Sequence, residues 1–379
     1  MGSANNRILL FSRDPGGANT IIPLVEPFGN KGYDVRLYGK DLALAKYIAA
    51  GLSCVDIMTV CDRVLPDLVE IFLRDLSPDI IITGTSADDH TEKYLWQAAE
   101  SMGIPTIAIL DQWTNYGLRF SEYGVSEITE YLKERRHPFM PSRIVAMDEC
   151  SRTEMIAEGL PDERIVVCGQ PYFETLAKYE PDSSLLSDFN QRNNINADDL
   201  VVVYASEPIT RTYGEKASDF WGYTEKSTFA ALVRALNLMQ MGAPRRMVLV
   251  IRPHPKEEPK GLVDIVEPYT DITWSIDTAT PSMELMRRAD IVCGMSSMFL
   301  IESVVIGRPT MSIQIGLKRE NPFILDRRGI LKSVLSEDEL CNQLRRIIIC
   351  GESEKPGFDV ISNPVVRIIS EMELLLCQN

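Results

Sequence analysis

Short, almost uninterrupted apolar runs alternate along this chain with longer stretches in which apolar residues recur every third or fourth position. The first kind marks strands buried on both faces; the second marks amphipathic helices that pack on them. RILLFS at residues 7–12, DVRLY at 34–38, PDIIIT at 78–83 and PTIAIL at 105–110 predict strands, and residues 142–147 and 165–169 two more. Helices are predicted over 20–29, 42–50, 62–75, 92–102 and 172–178, the first preceded by a glycine loop, Asp14-Pro15-Gly16-Gly17-Ala18-Asn19. Strands separated by helices of this length pair in parallel.

The pattern then lapses. Residues 180–199 are rich in Asn, Asp and Ser and predict a linker. LVVVYA at 200–205 restarts the alternation, followed by a polar loop over 206–222 and a helix over 226–241. Strands at 246–252, 272–274, 291–293 and 310–314 follow, with helices over 281–289 and 298–306, and two helices, 337–350 and 364–377, close the chain. The expected fold class is α/β: two Rossmann-like parallel-sheet domains, residues 1–182 and 183–361, facing a central cleft. The final helix, 362–379, is expected to pack back on the first domain.

Composition sharpens this picture. At 379 residues the chain exceeds what one core usually serves. It has no apolar run of the length that spans a bilayer. Its eight cysteines are scattered without a CxxC pair, which favours buried thiols in a reducing cytoplasm over disulfides or zinc. A net charge of −15 argues against general nucleic-acid binding, while leaving room for a local nucleotide pocket.

Ligands of parallel sheets bind beyond the strand C-termini. In the first half those tips carry Asp14, Asp88, Asp89, His90 and Asp111, and Gly16 and Gly17 allow a ligand to approach the backbone. A tight turn without ligand explains the glycines equally well, and helix capping explains Asp88 and Asp89. In the second half Ser296 and Ser297 open a helix that carries Glu302 about one turn in. Free N–H groups, hydroxyls and the helix dipole converge there on a place for phosphate, although an ordinary serine cap has the same sequence. His254 lies between prolines in Arg252-Pro253-His254-Pro255-Lys256, where imidazole and cations can meet an anion. The 206–222 loop carries Glu207, Arg211, Tyr213 and Trp221, and Asp14, Glu207 and Arg211 are expected to face substrate. Trp113, Asn115, Tyr116 and Arg119 form a further candidate groove, or a plain surface loop. Arg319 and Asn321 are placed to reach towards the same cleft, and Glu134–His137 reads as a solvated face.

These motifs resemble those of the GT-B superfamily of nucleotide-sugar enzymes, over most of the chain. Cys168-Gly169-Gln170-Pro171 is similar to the Gly-Asn-Pro segment before the interdomain crossing of UDP-N-acetylglucosamine 2-epimerases. Glu302, with Gly307 and Pro309 after it, matches those enzymes in spacing. Arg252-Pro253-His254-Pro255 with Ser296-Ser297 resembles the HP and Ser/Thr-Ser motifs of bacterial sialyltransferases and CDP-glycerol glycerophosphotransferases. The chain departs from the epimerases in lacking their double glycine and Glu-Glu, and in carrying Asp111 where they have Glu. The resemblance implies that His254, Arg252, Ser296 and Ser297 hold a donor's phosphates and that Glu302 takes the ribose.

The leading expectation is a glycosyltransferase acting without a metal, with Asp89 or Asp111 as general base and His90 as a partner. A 2-epimerase, a glycerophosphotransferase and a non-catalytic nucleotide-sugar-binding subunit are the alternatives. The expected partners are a nucleotide-activated sugar and a carbohydrate or other small acceptor, with a homodimer left open. No cofactor and no metal are expected; the nucleotide sugar enters as substrate.

Overall fold

A computed structural model describes residues 6–214, 220–352 and 361–378. The chain divides into two compact units, one built from residues 1–175 and 360–379, the other from 176–359.

The first unit holds a seven-stranded sheet. Its strands are β1 (Arg7–Ser12), β2 (Asp34–Gly39), β3 (Val55–Asp56), β4 (Ile80–Thr83), β5 (Thr106–Ile109), β6 (Arg143–Ala146) and β7 (Ile165–Val167). They lie in the order β3-β2-β1-β4-β5-β6-β7, every pair parallel. The central strands are buried on both faces, which is why they read as apolar runs without alternation. One face is covered by a cluster that includes Ile8, Leu10, Phe28, Ile82 and Ile109. Ile368, Ile369, Met372 and Leu375 of the C-terminal helix Pro364–Gln378 belong to the same cluster.

The second unit holds β8 (Leu200–Ala205), β9 (Met247–Arg252), β10 (Thr273–Ile276), β11 (Ile291–Gly294) and β12 (Thr310–Ser312), all parallel, in the order β10-β9-β8-β11-β12. Its core joins Val202, Tyr204, Leu249, Ile251 and Cys293 of the sheet to Phe229, Leu232 and Leu236 of the helix Glu225–Met239 and to Leu340 and Leu344 of Glu337–Ile348.

Three sequence expectations need correction. The glycine loop is not a loop: the helix runs Pro15–Asn30, with Pro15 in the first turn, where its missing N–H is no loss, and Gly16 and Gly17 follow inside that turn. The polar linker contains the helix Ser183–Arg192, which Asp182 starts by accepting the N–H groups of Ser184 and Leu185. Phe189 anchors that helix, fully buried. The sequence reading also passed over Ile128–Glu134, Glu149–Ala157 and Lys260–Val266, helices of seven to nine residues, too short to show a sustained period. All eight cysteines are free, and Cys61, Cys168 and Cys293 are buried; Cys150, Cys350 and Cys377 are exposed, contrary to a uniformly buried set.

Candidate functional site

Both sheets reverse their strand order next to the first strand of the unit, between β1 and β4 and between β8 and β11. Loops leaving in opposite directions open a crevice at such a point. The predicted residues gather beside these two reversals.

In the second unit, β8, β9 and β11 are neighbours and end at Ser206-Glu207, Arg252–Lys256 and Met295–Ser297. The Glu207 carboxylate occupies the place expected for phosphate. Its Oε1 accepts the N–H groups of Met295 at 3.2 Å, Ser296 at 2.6 Å and Ser297 at 2.9 Å, and its Oε2 accepts the Ser296 hydroxyl at 3.0 Å. The Ser297 hydroxyl is buried and has no partner among the described residues. Burial pushes the Glu207 carboxyl above the usual range, and these donors hold it back. The turn is fixed from below. The Ser312 hydroxyl donates to the Met295 carbonyl at 2.6 Å, and Gln314 joins Ser312, Ser333 and Asn321 in one buried network. Asn321 thus braces the cradle from beneath.

Ser206, beside Glu207, ties in the proline-flanked loop. Its hydroxyl donates to Glu257 Oε1 at 3.0 Å, and Glu257 Oε2 accepts the His254 N–H at 2.9 Å. His254 Nδ1 accepts the Lys256 N–H at 3.1 Å, so the neutral ring carries its proton on Nε2. Burial and then Lys256 lower the His254 pKa. Arg252 is turned to Asp277, donating to its carbonyl at 3.2 Å and its Oδ1 at 3.4 Å. Arg211 donates to the Lys256 carbonyl at 2.8 Å, beside a cavity of about 200 Å³ that Pro208, Lys226, Glu257 and Leu262 also line. Glu302 lies half-buried one turn into the helix Met298–Val305.

In the first unit, β1, β4 and β5 are neighbours and carry Asp14, Thr85 to Asp89, and Asp111. Asp111 is 8% exposed; its Oδ1 accepts Arg119 Nη1 at 2.9 Å, and its Oδ2 lies where a Cβ on Gly16 would be. Gly17 and Gly84 meet over Ser12 so closely that a Cβ on either would fit only if its neighbours gave way by a few tenths of an ångström. The glycines therefore serve the close approach of two loops and one carboxylate. Burial raises the Asp111 pKa, opposed by Arg119. Asp89 is different: both oxygens are engaged, Oδ2 by Lys40 at 2.6 Å and Oδ1 by the Thr91 N–H at 2.9 Å. Burial works against it, yet these bonds bring its pKa below the usual value. Asp88 accepts the Val125 N–H, and Asp14 pairs with Arg13. His90 is drawn aside, bonded to the Glu122 carbonyl and packed on Tyr94 and Phe139.

The candidate acceptor groove is not one. Trp113, Tyr116 and Arg119 are buried, Trp113 stacked on Phe173 and bonded to Asp148. The sequence reading gave no role to the Arg119 pairing or to Glu92. The latter shares the i, i+3, i+4, i+7 stripe of Leu95, Trp96 and Ala99, the signal that it points inward. The side chain of Tyr213 lies outside the described residues. Among the described residues no group of three or more His, Cys, Asp or Glu is placed to hold a metal ion, and no helix is long and apolar enough to cross a membrane.

No family model and no curated protein sequence matches the chain. Solved structures do match in fold. A UDP-GlcNAc 2-epimerase from Methanocaldococcus jannaschii is 12% identical, with a TM-score of 0.66 over 97% of this chain and 99% of that one. The UDP-GlcNAc 2-epimerase from Neisseria meningitidis bound to UDP-GlcNAc is 16% identical, with a TM-score of 0.61 over 97% and 99%. HepE from Anabaena, in complex with UDP and glucose, is 15% identical, with a TM-score of 0.58 over 99% and 100%. The architecture is thus GT-B, of the kind seen in UDP-GlcNAc 2-epimerases.

Proposed function

We propose that this protein is an enzyme acting on a nucleotide-diphosphate sugar, with the diphosphate held in the second unit and the chemistry carried by the first. The observation behind this reading is the seat of Glu207. Three N–H groups and a hydroxyl, at the switch point of a doubly wound sheet, already bind an oxyanion, and that oxyanion belongs to the chain itself. A phosphate has more acceptor oxygens and more charge than a carboxylate, and it replaces Glu207 when substrate enters. His254 Nε2–H is a further donor, and Arg211 faces the substrate. Arg252 supports the loop through Asp277.

Glycosyl transfer is the leading reaction. Asp111 is a better general base than Asp89, because burial makes its carboxylate more basic whereas Lys40 and Thr91 make Asp89 less so. The departing diphosphate is stabilised by the fixed donors of the cradle. Epimerisation at the sugar's second carbon is the other reading, supported by the match to 2-epimerases over nearly the whole chain. Incubation with UDP-GlcNAc and UDP-glucose separates them. A transferase releases UDP only when an acceptor sugar is added, an epimerase converts the sugar without one, and absence of UDP binding by calorimetry overturns both.

A further inference from the structure

The start of the helix Thr91–Met102 carries two buried ionisable side chains that the reading above does not use, Glu92 and Lys93, 1% and 0% exposed. Lys93 lies against two backbone carbonyls, those of Ala87 at 3.3 Å and Tyr123 at 3.5 Å. Glu92 has less. Its Oε2 is buried without a hydrogen-bond partner among the described residues, and the N–H groups of Arg13 and of Glu92 itself face its carboxyl. The side chain is therefore wedged beneath the turn that leads from β1 to Asp14 and Gly16.

Its charged surroundings come from several elements. Asp14 faces it from the β1 turn and Asp89 from the β4 loop; Tyr47, bonded to Ser12 at 2.5 Å, faces it from the helix Leu42–Ala49. The nearby cations are committed: Lys40 pairs with Asp89 and Arg13 with Asp14 and Asp41. Lys93 lies next in sequence and Arg119 beyond it, bonded to Asp111. An ionised carboxylate here would be buried beside those of Asp14 and Asp89, with the charge of Lys93 acting on it but no ion-pair partner at hydrogen-bonding distance among the described residues, at a cost its contacts do not offset. A neutral carboxyl avoids that cost and still accepts the Arg13 N–H.

We propose that Glu92 works as a protonated positioning residue: the neutral carboxyl lets the Arg13-Asp14-Pro15-Gly16 turn sit against Asp111, and its ionisation repels Asp14 and loosens that turn. The role in catalysis rests on the reading of the first unit as the catalytic half. Burial, then Asp89 and Asp14, push the Glu92 pKa up to about 8, so the proton is present at neutrality and leaves just above it.

Glu92→Gln fixes the neutral state in the same shape. The folded value lies above the unfolded one, so the folded chain binds the extra proton between them, and stability falls as pH rises through that window. Lys93, lowered to about 8, acts in the opposite sense: its folded form binds fewer protons, so stability rises with pH above that value. The melting temperatures of wild type and Glu92→Gln should therefore diverge by several degrees between about pH 5 and about pH 9, with the variant gaining.

Amide hydrogen exchange over residues 13–18, corrected for the intrinsic rate, should quicken more than about fivefold above about pH 8 in wild type and not in the variant. Wild type alone supplies this second readout if the variant does not fold. Parallel melting curves, or no pH-dependent loosening of the turn, overturn the inference. Turnover of UDP-GlcNAc gives the separate arm. An alkaline limb near pH 8 that disappears in Glu92→Gln supports both the inference and the catalytic reading, and a limb unchanged in the variant overturns the positioning role. If no substrate turns over, the catalytic reading falls, and the exchange and melting data still decide whether ionisation of Glu92 loosens the turn.

Discussion

Each unit places a carboxylate beside its sheet's switch point, and the two are held in different ways. Asp111 has a cation: Arg119 is buried with it, 6% and 8% exposed, and also bonds Thr85. Among the described residues Glu207 has no cation bonded to it, only three N–H groups and a hydroxyl from one turn. Taking Asp111 away would strand a buried guanidinium; taking Glu207 away would leave neutral donors that another oxyanion satisfies equally well. One carboxylate is fixed and the other is exchangeable. That difference is what the proposed function asks of the two units, chemistry in the first and binding of a charged group in the second.

The comparison breaks most sharply at Arg119. Arg119→Leu leaves Asp111 buried and unpaired, and should cost about 3–5 kcal/mol in urea unfolding. Arg119→Leu combined with Asp111→Asn should recover most of that loss, because the stranded charge is gone. Next comes Gly16→Ala. The added methyl overlaps Asp111 Oδ2, so either the carboxylate or the helix start must shift, at about 1–3 kcal/mol. Gly29→Ala in the same helix meets open space and serves as the control. On the exchangeable side, Glu207→Ala empties the cradle, and UDP should bind about tenfold tighter by calorimetry, roughly 1.4 kcal/mol. Equal or weaker binding would mean that Glu207 supports the nucleotide site and does not compete for it.

Much of this is legible in the sequence alone. Buried parallel strands announce themselves as apolar runs, so the strand tips, and with them Asp14, Asp111, His254 and Ser296, could be placed. The polar helix Ser183–Arg192 could not, since its evidence is one cap, Asp182, and one buried ring, Phe189, inside a segment composed like a linker. Contacts across long separations were likewise hidden. Nothing near Ser296 announces that its N–H is taken by a carboxylate 89 residues earlier. The burial of Arg119 against Asp111 and that of Glu92 were missed for a related reason: charged residues are read as facing a groove or solvent, and only the helical stripe through Leu95, Trp96 and Ala99 turns Glu92 inward.

The smallest effect belongs to His254, and it sharpens the account of the binding half. Because Nδ1 accepts the Lys256 N–H, the neutral ring offers Nε2–H as its donor. His254→Gln should weaken UDP binding only two- to fivefold, about 0.5–1 kcal/mol, the worth of one neutral hydrogen bond. Its pH dependence is the more telling measurement. Burial and Lys256 place the folded pKa below the ordinary imidazole value, so between the two values the unfolded chain takes a proton that the folded chain refuses. Stability therefore falls as pH drops through that interval, and protonation of Nδ1 also breaks the bond to Lys256. His137, likewise lowered by burial, contributes the same slope to every variant, so it cancels in the difference between wild type and His254→Gln. That difference in melting temperature should be larger at about pH 7 than at about pH 5. A constant difference would mean that folding does not shift the imidazole pKa and that the ring is not held by the burial and the Lys256 contact described here.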